Sequence, residues 1–89
     1  MINTLRAVLT EAFTPTQLDI TDDSAKHNGH GGIHNRTNSH FSITLVSPLF
    51  IGKTPLQRHR AVNAILDPFF KAGVHAVQLN LSAPQSIPE

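Results

Sequence analysis

Apolar residues recur along the first segment at Ile2, Leu5, Val8, Leu9, Ala12 and Phe13, three or four positions apart. That spacing gathers them on one stripe of a helix, and Pro15 stops it soon after Phe13. Asn3 or Thr4 is the expected cap. The period then changes. QLDITDD alternates, with Leu18 and Ile20 on one face and Asp19 and Thr21 on the other, which predicts a half-buried strand ending at Asp22 and Asp23. HFSITLVS repeats the alternation, with Phe41, Ile43 and Leu45 sharing a face. Two such strands predict an antiparallel pair. The connection, residues 23–39, is long for a domain of this size, and such loops are mobile or functional.

Thr54, Pro55 and Gln57 stand where a helix places its N-cap, its first-turn proline and its capping-box partner. The helix they start has Val62, Ile65, Leu66 and Phe69 on its apolar face, His59 on the shoulder of that face and Arg60 pointing away. In DPFFKAG, Pro68 is expected to kink the helix or divide it in two, and Gly73 to end it. VHAVQLNL alternates again. Val77, Leu79 and Leu81 share a face, and His75 has the same parity, which predicts a histidine at the mouth of the strand, on or near its core-facing side. The tail from residue 82 to 89 is expected to fray. The order α-β-β-α-(α)-β predicts a two-layer α+β domain, a three-stranded sheet with helices on one face.

The 89 residues make a single domain with one core, and 39% apolar against 15% charged residues suits a globular chain. A net charge of +1 does not dedicate the chain to nucleic acid by bulk charge. The one basic cluster is Lys53, Arg58 and Arg60. With no cysteine, the chain cannot build a disulfide framework, a zinc finger or a cluster held by its own thiolates. A metal here must use imidazole, carboxylate or a ligand lent by a partner. No apolar run approaches the ~18 residues of a membrane span. MINTLRAVLTEAF lacks the apolar block of a secretory signal, so a soluble, cytoplasmic protein is expected rather than one of the mitochondrial matrix or another organelle. No nucleophile with a base and orienter, no phosphate loop and no carboxylate pair beyond Asp22 and Asp23 is present, which argues against an enzyme.

Four of the six histidines fall within SAKHNGHGGIHNRTNSH, residues 24–40. On the residues alone this is a metal site or a solvated polar loop. His27, His30 and His34 are solvated by default, and His40 opens the second strand on its polar face in a structural role, capping or cross-strand hydrogen bonding.

FTPTQLDITDDSAKHNGH, HFSITLVSPLFIGKTPLQRHRAVNAIL and GVHAVQLN, in this order and spacing, resemble the BolA family over roughly residues 5 to 81. The most specific parts are HF with the VS strand end, the F-x-G-K turn, the LQRHR helix start and VHA. The resemblance implies a fold similar to the class II KH domain. It also implies a non-enzymatic partner of monothiol glutaredoxins, the two chains sharing a [2Fe–2S] cluster completed by a glutaredoxin cysteine and glutathione. Bacterial relatives are also described as transcriptional regulators of stress response and cell shape, which gives the alternative of a KH-like DNA-binding protein.

By the same resemblance the histidine of VHA, here His75, is one cluster ligand. The loop position after S-x-x, here His27, is the second, ahead of His30, His34 and His59. Imidazoles replace two thiolates on one iron in Rieske centres, so a chain without cysteine gives at most that histidine half. Lys53, Arg58, His59 and Arg60 are then a partner-docking surface or, in the KH-like reading, a nucleic-acid surface. The turn Phe50-Ile51-Gly52-Lys53 lacks the G-x-x-G loop that clamps a nucleic-acid backbone. The tail SAPQSIPE keeps only a trace of the family's Thr-Pro-x-Glu-Trp ending, and DPFFKAG is more broken than the family's usual helix end.

Overall fold

Leu5, Leu9 and Phe13 carry the first helix, α1 (Ile2–Phe13), into the core, none more than 7% exposed. The computed structural model describes residues 2–23 and 40–84. Ile2 is already helical and packs against the core, so Asn3 and Thr4 lie inside the first turn and neither is the cap expected of them. The helix closes on Thr14, whose N–H donates to the Thr10 carbonyl and whose φ is +42°. A β-branched residue adopts that left-handed conformation only at a cost.

The sheet consists of β1 (Gln17–Asp22), β2 (His40–Val46) and β3 (Ala76–Ser82), in the order β1-β2-β3. β1 runs antiparallel to β2, with Leu18 opposite Leu45 and Ile20 opposite Ile43. β3 runs parallel to β2, with Phe41, Ile43 and Leu45 beside Val77, Leu79 and Leu81. A parallel pair needs a crossover, and α2 (Pro55–Lys71) supplies it. Phe41, Ile43 and Leu45 are buried beneath the helices, while Ser42 and Thr44 occupy the other face of β2.

Thr54 caps α2 through a complete capping box with Gln57, as the sequence predicts. Val62 and Leu66 are fully buried, and Ile65, Phe69 and Phe70 pack partly against the same core. The helix is not divided in two at Pro68 and does not restart at Asp67. Pro68 sits inside one continuous helix on an exposed side, and the Ala64 carbonyl that loses its helical donor belongs to an exposed residue. Asp67 and Lys71 pair at 2.9 Å across the same turn, and the hydrogen bond to Asp67 raises the pKa of Lys71. Gly73, at φ +123°, then turns the chain after the Ala72 C-cap.

Ser47 is the buried polar residue among the described residues, with no exposed surface. Its hydroxyl donates to the Phe13 carbonyl at 2.6 Å and accepts from Leu49 N–H at 3.0 Å, and its N–H donates to the Ser82 carbonyl at 3.0 Å. One side chain thereby ties the end of α1, the end of β2 and the 3₁₀ turn Pro48–Phe50, while its backbone reaches the end of β3. Phe50 from that turn packs on Phe13, with ring centroids 5.3 Å apart.

Candidate functional site

The parallel register sets His40 beside Ala76, so residue 75 arrives at the start of β2 one step before β3 begins. The His40 and His75 rings stack there, with centroids 6.1 Å apart and planes inclined by 23°. His75 is exposed, not turned toward the core as its parity suggests. The reason is the glycine turn: Val74 takes the inward position at 5% exposure, and His75 lies outside the strand whose alternation it was assigned to.

The end of β1 completes this corner. Asp23 N–H donates to the His40 carbonyl at 2.8 Å, and the Ser42 hydroxyl donates to the Asp23 carboxylate. Asp23, His40, Phe41 and Val77 border a depression of about 220 Å³ between β2 and β3. Asp23 and His40, the described residues on either side of 24–39, therefore meet at the corner occupied by His75. His27, His30 and His34 lie outside the described residues.

The sequence singles out His75 but not its neighbour, giving His40 only a local role. The signal was present in the β2-α2-β3 order, because a strand–helix–strand unit makes parallel strands whose beginnings lie at the same edge. Among the described residues no group of three or more His, Asp or Glu side chains is arranged to hold a metal ion. His40 and His75 give this corner two imidazoles and no thiolate.

The basic residues separate into two sets. Lys53 and Arg58 border one depression of about 290 Å³ with Phe13, Phe50 and Gln57. Arg58 is half-buried, its guanidinium 5.9 Å from the Phe50 ring centroid. His59 and Arg60 are exposed and do not line that depression. All four follow the far end of β2. A strand of this length spans about 20 Å, so the structure places this cluster and His75 at opposite ends of the sheet.

A three-stranded sheet of order β1-β2-β3, covered on one face by a short and a long helix, defines a two-layer α+β domain. Its corner of exposed imidazole sits where β2 and β3 begin. The chain belongs to the BolA-like protein family, whose pattern matches residues 9–86. It is 36% identical over 85 residues to an uncharacterized protein in the cobS 5' region of Sinorhizobium sp., covering 94% of this chain and 91% of that one. The DNA-binding transcriptional regulator BolA of Escherichia coli is 38% identical over 72 residues, covering 81% of this chain and 65% of the regulator. The solved structure of BolA1 from Arabidopsis thaliana superposes with a TM-score of 0.85 at 32% identity, covering 99% of this chain and 96% of that one. The chain spans between about a quarter and just over half of the length of several longer curated relatives. Among the described residues no helix is long and apolar enough to cross a membrane.

Proposed function

We propose that the protein is a non-enzymatic adaptor that docks a monothiol glutaredoxin and shares a [2Fe–2S] cluster with it, in iron–sulfur assembly, trafficking or iron regulation. The observation that carries this reading is the exposed His75 ring at the corner from which residues 24–39 depart. His75 and His27 are the proposed ligands. His27 follows Asp23 by four residues, a reach of about 14 Å at full extension. The donor set fits a half-share: imidazoles are at hand, thiolates are absent, and no complete metal cage exists among the described residues. The glutaredoxin cysteine and glutathione supply the missing thiolates.

The chain's own contribution is to hold His75 exposed and oriented. The Gly73 turn sets its position, and the His40 ring stacks beside it. Mixing the protein with a monothiol glutaredoxin, glutathione, iron and sulfide is expected to give a heterodimer whose visible spectrum differs from that of the glutaredoxin homodimer. His75→Ala is expected to return the spectrum to the homodimer form. An unchanged heterodimer spectrum in that variant would remove His75 from the ligand set.

The alternative, a DNA-binding transcriptional regulator, draws on the name of the Escherichia coli relative and on the cations Lys53, Arg58 and Arg60. Three phosphate contacts give a shallow dependence on salt, with a slope of about −3 in log–log form. Changing Arg58 and Arg60 together is expected to reduce that slope, and absence of binding at low salt ends this reading.

A further inference from the structure

The helix layer carries a groove that the cluster site does not use. Between α1 and α2, Val8, Ala12, Ile65 and Phe69 border an apolar depression of about 490 Å³, with Ala64 and Pro68 on its α2 side. Ala12 also borders the depression of about 290 Å³ that holds Lys53 and Arg58. The two share Ala12 as a common wall along the seam between the helices, which Ala61 and Ala64 also line. Together they fall within the ~300–1,000 Å³ of typical ligand clefts.

The groove is chemically polarised. At one end Lys53 and Arg58 are ion-paired with no other described residue. Arg58 Nε is buried and has no hydrogen-bond partner among the described residues, while its guanidinium rests against Phe50. A buried guanidinium nitrogen gains most from a charged acceptor, because an unmade bond there costs its full desolvation. At the other end the lining is apolar and its charged member is the Glu11 carboxylate, which repels an acid.

We propose that this seam binds a short peptide segment of a partner protein, with aliphatic side chains lying between α1 and α2 and a following acidic residue held by Lys53 and Arg58. Charge complementarity at one end and the apolar lining at the other carry the assignment. Two cations over a hydrophobic floor suit a carboxylate better than a nucleic-acid backbone, which calls for a longer basic track. The basic end lies a strand length, about 20 Å, from His75, so the proposal stands or falls independently of the shared cluster.

The test is an NMR titration of the full ¹⁵N-labelled chain with a blocked peptide of two leucines, an alanine and two glutamates, beside its glutamine counterpart. The glutamate peptide is expected to shift the amides of Ala12, Ala61, Ala64 and Lys53 and to leave those of His40 and His75 in place. It is expected to bind about fivefold or more tightly than the glutamine peptide. Lys53→Ala, at an exposed position, and Arg58→Leu, which keeps the apolar cover on Phe50, are each expected to bring the glutamate peptide down toward the glutamine level. Equal binding of the two peptides, shifts centred on His40 and His75, or no shift at millimolar peptide would overturn the proposal. So would a DNA duplex that shifts the same amides while the glutamate peptide does not.

Discussion

Ser47 shows how much one small side chain can carry when it is fully buried. Its hydroxyl donates to the Phe13 carbonyl and accepts from Leu49 N–H at once, and Ser47 itself has no exposed surface. Ser47→Ala is expected to destabilise the fold by about 1 kcal/mol, read from the urea midpoint, because a buried hydrogen bond to the Phe13 carbonyl and a half-buried one from Leu49 N–H are lost. A change below a few tenths would mean that the site relaxes freely. His40 bears on a neighbour in a different way, its ring stacked in an offset pair beside that of His75. Within the proposed shared cluster, His40→Ala is expected to shorten cluster lifetime about tenfold, as the loss of an orienting contact does. His40→Phe keeps the stack and is expected to retain most of that lifetime. Equal loss in both variants would show that His40 acts through a ring nitrogen. The position of His75 just before the last strand was legible from VHA, but its exposure was not. Alternation holds only inside a strand, and Gly73 shifts the register just before β3 begins.

At the scale of elements, the strands and helices follow their periods closely. Phe41, Ile43 and Leu45 face the core because alternate positions do, and Thr54 with Gln57 starts α2 because a capping box satisfies two orphan N–H groups. Pro68 is where the local rule fails. A proline in a helix interior removes one hydrogen bond and costs about 3 kcal/mol against alanine, which predicts a break. Val62, Leu66 and Phe69 straddle the point and bury one continuous face, so packing holds the helix together through the defect. Pro68→Ala is therefore expected to stabilise the protein by about 1–2 kcal/mol, after the greater freedom of the unfolded chain is subtracted. Thermal unfolding measures this directly, and a lowered midpoint would mean that Pro68 is packed rather than tolerated. Asn3 and Thr4 failed as caps for a related reason. Ile2 packs partly against the core, and the helix that carries it there already includes them.

The whole molecule is organised by the parallel β2–β3 pairing, which no single stretch of sequence displays. It brings His40 and His75 together from positions far apart in the chain and sends Lys53 and Arg58 to the other end of the sheet. The sequence showed the strands, the helices and the histidine surplus. The distance between the two sets of candidate residues needed the topology, because it depends on which strand ends share an edge. Two ends this far apart are expected to act independently, since effects at well-separated sites add. Replacing Lys53 with Ala is expected to leave the His75-dependent cluster spectrum unchanged, and a marked change would join the two surfaces into one.

The central claim is that His75 meets the cluster brought by a glutaredoxin, and imidazole NMR tests it most directly. The protein labelled with ¹⁵N in its histidine rings is titrated first with apo glutaredoxin and then with the [2Fe–2S]-loaded form. The account predicts that the apo partner moves the His75 ring signals modestly. The loaded partner is then expected to shift or broaden them beyond detection through the iron, while the exposed His59 at the other end of the sheet keeps its signals. A His75 ring that stays sharp and unshifted with the loaded partner, in a complex shown to have formed, would contradict it.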